Sequence, residues 1–172
     1  MTTLLLVRHG ETDWNADGRL QGQTDRPLSD FGRRQARELA EELAGEELDA
    51  VYASDLSRAR ETAEIVGERL GLPVALDPDL REKDWGTWEG LSSVERDRVD
   101  FVGESTEEHA ERMLRALRRI ADRHPGGRVL VVTHGGSMRR VQTAALGMAM
   151  PVVENCGSWL CAWEDGAFRA LD

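Results

Sequence analysis

Two histidines in this chain each stand beside glycine at the end of a short apolar run. His9 lies between Arg8 and Gly10, and His134 is followed by Gly135 and Gly136. A third apolar run leads through Ser54, Asp55, Leu56 and Ser57 to Arg58. These residue types suit one kind of chemistry. A neutral imidazole can attack phosphorus, and arginine offers rigid, forked donors that match phosphate oxygens. A helix after Gly135 would add backbone N–H groups at its positive end. Departure of a leaving group then needs a proton. The segment Leu80-Arg81-Glu82-Lys83-Asp84-Trp85-Gly86 supplies a carboxyl, Glu82, for general acid work.

For these groups to meet, strands must carry them to a common edge. Residues 3–7, 49–53 and 128–133 are near-continuous apolar runs, which suit strands buried on both faces of a sheet. Residues 74–76 and 159–163 are weaker strand candidates. Glu164-Asp165-Gly166 reads as a hairpin turn leading to a last strand over residues 167–170. Helices fall between the strands. One starts near Phe31 with Ser29 as N-cap, and one starts near Leu56 and stops at Gly71 and Pro73. A third opens on the capping box Ser105-Thr106-Glu107-Glu108 and ends at Pro125-Gly126-Gly127. A fourth covers roughly residues 137–146. This alternation predicts an α/β fold, a three-layer α/β/α sandwich with a mainly parallel central sheet. In such folds ligands lie beyond the carboxyl ends of the strands. There is no internal repeat or linker, so residues 1–172 read as a single domain. Residues 85–104 are the least regular stretch and read as a short cap.

Composition narrows the function. The chain has 172 residues, 40% hydrophobic and 31% charged, the profile of a globular protein. A net charge of -10 argues against nucleic acid as a partner. No apolar run approaches the ~20 residues of a membrane helix. The leading residues lack the basic start and cleavage site of a signal peptide, so the expected location is cytoplasmic. The only cysteines are Cys156 and Cys161, too few for a disulfide framework. With His9 and His134 they form no tight ligand pair, so no metal site and no cofactor are expected.

The motifs resemble those of the histidine phosphatase superfamily, the phosphoglycerate mutase-like proteins. Arg8-His9-Gly10-Glu11-Thr12 with Asn15 is similar to the signature at the family's catalytic histidine. Gly18-Arg19-Leu20-Gln21-Gly22, then Pro27-Leu28-Ser29 and Gly32, resembles its next segment. Ser54-Asp55-Leu56-Ser57-Arg58-Ala59 with Thr62-Ala63 resembles the stretch holding its second arginine. Glu82 with Trp85-Gly86 and Trp88-Glu89-Gly90 resembles the proton-donor region, and Val131-Val132-Thr133-His134-Gly135-Gly136 the second-histidine region. The resemblance covers nearly the whole chain, in order. It implies a phosphomonoester hydrolase working through phosphohistidine on His9, with Glu82 as general acid and base. It further implies that Arg8, Arg58, Asn15, His134 and the Gly135 N–H bind the phosphoryl oxygens, with Thr12 and Gln21 lining the pocket. The substrate would be a small phosphomonoester or a phosphoprotein.

Two alternatives accompany this reading: a cofactor-dependent phosphoglycerate mutase, and a non-catalytic phosphate-binding or interaction module. Mutases carry a longer insertion after the acid motif, with paired arginines. Here about twenty residues separate Glu82 from Glu104, and Arg96 and Arg98 are not adjacent. Hydrolysis is therefore favoured, and the short cap implies an open mouth. The remaining candidates read as ordinary. His109 and His124 are expected at the surface. Arg139 and Arg140 read as a helix surface pair able to reach a substrate carboxylate. Trp14, Trp85 and Trp88 either line the mouth or cover the core edge.

Overall fold

The computed structural model describes residues 1–171. Six strands form one sheet: β1 (Thr2–Arg8), β2 (Ala50–Ala53), β3 (Val74–Leu76), β4 (Arg128–Thr133), β5 (Ser158–Glu164) and β6 (Ala167–Ala170). Their order across the sheet is β3-β2-β4-β1-β5-β6. The first four are mutually parallel, and β5 and β6 are antiparallel additions at one edge. The β5–β6 turn places Asp165 and Gly166 at φ 52° and 79°, the two left-handed positions of a type I′ hairpin.

Both faces of the sheet are covered. Successive residues of β1 point to opposite sides. Leu4 and Leu6 join Met113, Leu117, Ile120, Met138 and Val141, from the helices α5 (Thr106–Arg123) and α6 (Gly135–Leu146). Leu5 and Val7 join Leu39, Ala40, Ala59, Ala63 and Val66 on the other side, from α2 (Asp30–Glu42) and α3 (Ser57–Leu70). The helix starts are those read from sequence: Ser29 caps α2 through Gly32 N–H, Ser105 and Glu108 form a capping box, and Gly71 ends α3 at φ 69°.

This arrangement creates the crevice. β1 and β4 are neighbours, with Arg8 level with Thr133. The chain leaving β1 runs to α2 on one face, while the chain leaving β4 runs to α6 on the other. Such a point, where connections diverge, is where open α/β sheets bind ligands. The residues just past the paired ends are His9 and His134.

Three details were not visible as elements in the sequence. A four-residue helix, α1 (Asp13–Ala16), follows the first histidine, with Thr12 and Asn15 forming its capping box. It is too short and polar to leave a periodic signal. α6 begins at Gly135, two residues before Ser137, because His134 itself is its N-cap. Within residues 85–104 there is a 3-10 turn (Gly86–Trp88) and the short helix α4 (Ser93–Arg96). Among the described residues, no helix is long and apolar enough to cross a membrane.

Candidate active site

His9 and His134 face each other edge-on, with ring centroids 5.1 Å apart. His9 Nδ1 lies 2.7 Å from the Gly10 carbonyl. A carbonyl only accepts, so Nδ1 carries the proton and Nε2 keeps its lone pair. Burial first, then the charges of Arg58 and Arg8, hold the His9 pKa well below its usual value. The ring is therefore neutral, as a nucleophile must be. The backbone around it is tightly packed. A side chain at Gly10 would run into the Gly32 carbonyl at 2.5 Å, so the turn after His9 accepts only glycine.

His134 is fully buried and its pKa is also well below the usual range, through burial first and then Arg58. Its Nε2 is 2.9 Å from Ser54 Oγ. Ser54 Oγ already accepts from the Leu56 N–H, so its hydroxyl proton is free to go to Nε2. His134 Nδ1 then carries a proton, and it has no partner among the described residues. Two guanidinium Nε groups that line the cleft share that condition: Arg8 Nε and Arg58 Nε are buried and unpartnered. Buried polar groups are ordinarily paired. Three orphan donors beside one neutral imidazole make a socket for an oxyanion.

Each arginine is held from behind. Arg8 Nη1 donates to the Val153 carbonyl at 2.8 Å. Arg58 is 1% exposed and donates to the Gly22 carbonyl at 2.6 Å and the Thr24 carbonyl at 3.0 Å. Burial lowers its pKa to about 10, which still leaves it a cation at neutral pH. The loop holding Gly22 is braced by Glu89, whose carboxylate accepts from the backbone N–H groups of Gln23, Thr24 and Trp85. Gly22 has φ 53° and packs against Glu89, which leaves no room for a side chain.

Asn15, Gln21 and Gly135 line the same cleft, and Thr12 does not. The Thr12 hydroxyl accepts from the Asn15 N–H and donates to Gln21 Oε1 at 2.7 Å. The Gln21 Nε2 amide is thereby the end left for a ligand. Thr12 thus acts behind the pocket wall instead of on it, a correction to its place among the lining residues. Asn15 Oδ1 accepts from the Thr12 N–H and from Asn155 Nδ2, leaving the Asn15 amide as a donor. As N1 of α6, Gly135 has an N–H with no intrahelical acceptor, and a side chain there would press on Arg8 Nε.

Glu82 enters from the far side. Its carboxylate accepts from Lys83 N–H and Gly136 N–H, each at 2.9 Å, so one amide of the α6 N-terminus serves the acid. Ser137 Oγ is 3.3 Å from Glu82 Oε1 and 2.9 Å from His109 Nε2. His109 is 1% exposed, which overturns its expected surface position. The reason was readable: His109 lies four residues before Met113 and extends the buried stripe of α5 by one turn. Its pKa is lowered, by burial first. His124 also departs from expectation, half-buried and 3.1 Å from the Tyr52 hydroxyl.

Two further residues went unnoticed in the sequence. Asn155 Nδ2 donates to the His9 carbonyl at 3.0 Å. Arg112 donates to the carbonyls of Asp79, Arg81 and Glu82 and pairs with Glu104 at 2.8 Å, fixing the backbone that carries the acid. Neither sits in a motif, because each acts from a distant segment. Of the tryptophans, Trp85 lines the cleft. Trp88 stacks on Trp85 at 6.1 Å and packs against Phe101, while Trp14 lies under Arg26 and against Gly90. Cys161 is buried in β5, and burial raises both thiols to about 12.

Fold and site together set a neutral histidine among buried cationic donors at the carboxyl edge of an α/β sheet, an arrangement able to carry phosphoryl transfer. A model of the histidine phosphatase superfamily (branch 1) matches residues 4–170. The chain is 42% identical to phosphoglycerate mutase-like protein 4 of Arabidopsis thaliana, over 83% of this chain and 70% of that protein. It is 41% identical to the metal-independent phosphoserine phosphatase of the same plant, over 82% and 67%. The solved structure of Bacillus stearothermophilus YhfR superposes with a TM-score of 0.91 at 34% identity, covering 99% of this chain and 95% of that one. The chain belongs to the histidine phosphatase superfamily, and it is a phosphatase of that superfamily.

Proposed function

We propose that the protein hydrolyses small phosphomonoesters in two steps at His9. The phosphoryl oxygens bind Arg8, Arg58, His134 Nδ1, the Asn15 and Gln21 amides and the Gly135 N–H. His9 Nε2 attacks phosphorus as the ester oxygen leaves with a proton from Glu82. Glu82 then takes a proton from water, which cleaves the phosphohistidine and releases phosphate. Positioning and charge stabilisation carry most of such a reaction. His109 and Ser137 do not touch the reacting atoms; they orient the Glu82 carboxylate.

The observation that carries this reading is the set of three buried, unpartnered donors around a neutral His9. The cleft volume, about 240 Å³, lies below the ~300–1,000 Å³ of drug-sized ligand sites and favours a small ester over a phosphoprotein. Hydrolysis is favoured over mutase chemistry because Arg96 is bonded to Ser92 O and leans on Trp88, outside the cleft. The test is hydrolysis of p-nitrophenyl phosphate with EDTA present, comparing the wild type with His9→Ala. Activity that survives EDTA and vanishes in the variant is expected. Activity that persists in His9→Ala would overturn the assignment of the nucleophile.

A further inference from the structure

The chain between α6 and β5 turns back behind the nucleophile. Arg8 Nη1 donates to the Val153 carbonyl at 2.8 Å, and the Arg8 N–H donates to the Gly157 carbonyl at 3.0 Å. In return the Cys156 N–H reaches the carbonyl of Arg8 at 2.9 Å and that of His9 at 3.3 Å. The Gly157 N–H closes a turn on the Glu154 carbonyl at 2.9 Å. Cys156, the third residue of that turn, has φ 58°, in the left-handed region that glycine or asparagine ordinarily fills. A side chain is kept in such a backbone only where the surroundings over-determine it.

Asn155 is the second residue of the turn. It stands outside the cleft, half-buried in a groove against α2. Its amide nitrogen has two protons and two acceptors: the His9 carbonyl at 3.0 Å and Asn15 Oδ1 at 3.2 Å. The first contact fixes a peptide. The His9–Gly10 peptide is held at its oxygen by Asn155 and at its N–H by Thr62 Oγ1 at 3.0 Å. The next carbonyl, that of Gly10, is the acceptor that sets the His9 ring. The second contact fixes an amide. The two ends of the Asn15 side chain have nearly the same shape, and only the nitrogen end can donate to a phosphoryl oxygen. Asn155 and the Thr12 N–H both hold Oδ1, which turns Nδ2 to the cleft.

We propose that Asn155 is a positioning residue for the phosphoryl transfer, and that its one amide aligns the nucleophile His9 and the phosphate donor Asn15 with each other. This rests on the phosphatase reading and adds to it a residue that touches neither substrate nor reacting atoms.

The experiment measures kcat/KM on p-nitrophenyl phosphate, inhibition by inorganic phosphate and the melting temperature. Asn155→Asp keeps the shape but replaces the two donors with an acceptor that repels the His9 carbonyl and Asn15 Oδ1. It should lower kcat/KM by about 10- to 100-fold, the scale of a misplaced catalytic group, and weaken phosphate inhibition. Asn155→Ala, which adds no charge, carries the test if Asn155→Asp does not fold. The discriminating step is a double-mutant cycle with Asn15→Ala. The loss caused by Asn155→Ala should be at least about threefold smaller in the Asn15→Ala background than in the wild type, the scale of coupling between contacting residues. The loss left in that background is the share that acts through His9. Losses that simply multiply would reduce Asn155 to a support of its loop and overturn the proposal. Wild-type efficiency in both Asn155 variants would also overturn it and leave the phosphatase standing. No hydrolysis by the wild type would overturn both.

Discussion

The arginines outside the cleft and those inside it live in opposite circumstances. Outside, each of several has a carboxylate: Arg33 with Glu61 at 2.6 Å, Arg69 with Glu41 at 2.8 Å, Arg81 with Asp55 at 2.7 Å, Arg119 with Asp77 at 2.6 Å. Inside, Arg8 and Arg58 are buried deeper and bonded only to carbonyl oxygens, with their Nε groups unpartnered. An acidic chain has ample carboxylates to pair with its cations, and it withholds them here. The pairs at the surface are ordinary solvated contacts of small worth. The unpaired cations in the cleft are the site proposed to take its counter-charge from a bound phosphate.

The comparison breaks most sharply at Arg58. Arg58→Met keeps much of the buried stem and removes the charge, and kcat/KM should fall by about 10² to 10³, the usual cost of one preorganised donor. A pH effect should accompany the loss. In the wild type the His9 pKa sits well below the usual value, so the neutral nucleophile persists and kcat/KM stays flat as pH falls through about 6.5. Arg58 is the largest charge contributing to that depression, after burial. Without it the His9 pKa rises, and the acid limb of the profile should move to higher pH. A limb that stays in place, in profiles from about pH 5 to 8, would show that Arg58 does not set the state of His9.

A smaller effect is expected behind the acid. His109→Ala removes the imidazole that holds Ser137 against Glu82, and should lower kcat by about 10- to 100-fold with little change in KM, the scale of a misplaced catalytic group. His109→Gln, which can still donate to Ser137, should recover most of the loss. A rise in KM alone would assign His109 to substrate binding. The smallest effect belongs to the exposed pairs. Arg69→Ala breaks the contact with Glu41 and should leave both kcat/KM and the melting temperature unchanged within error. A loss of activity there would erase the distinction between the two sets of arginines.

Much of this architecture was legible in the sequence because it is local. The apolar runs ending in His9 and His134, the caps Ser29 and Ser105, the stop at Gly71 and the Asp165-Gly166 turn depend on neighbours within a few residues. The motif segments held groups that line the cleft, Arg8, His9, Asn15, Gln21, Arg58, Glu82 and Gly135, and the buried His134 that faces His9. Thr12 was misplaced because its hydroxyl serves Gln21, nine residues away, which spacing alone does not show. His109 was misread because a histidine on a charged helix resembles its exposed neighbours until the i, i+4 stripe is extended.

The sequence by itself therefore determined the order of elements and the local settings of His9, Arg58 and His134, since these follow from chain-local sterics and hydrogen bonding. Only the tertiary structure decided which cations are paired and which are left free. Asn155 reaches His9 and Arg112 reaches Glu82 across more than a score of intervening residues, and Lys83, Arg139 and Arg140 share a cleft only because α6 begins beside the acid. Charge pairing and burial depend on distances through space, and those are set when the sheet brings β1 and β4 together.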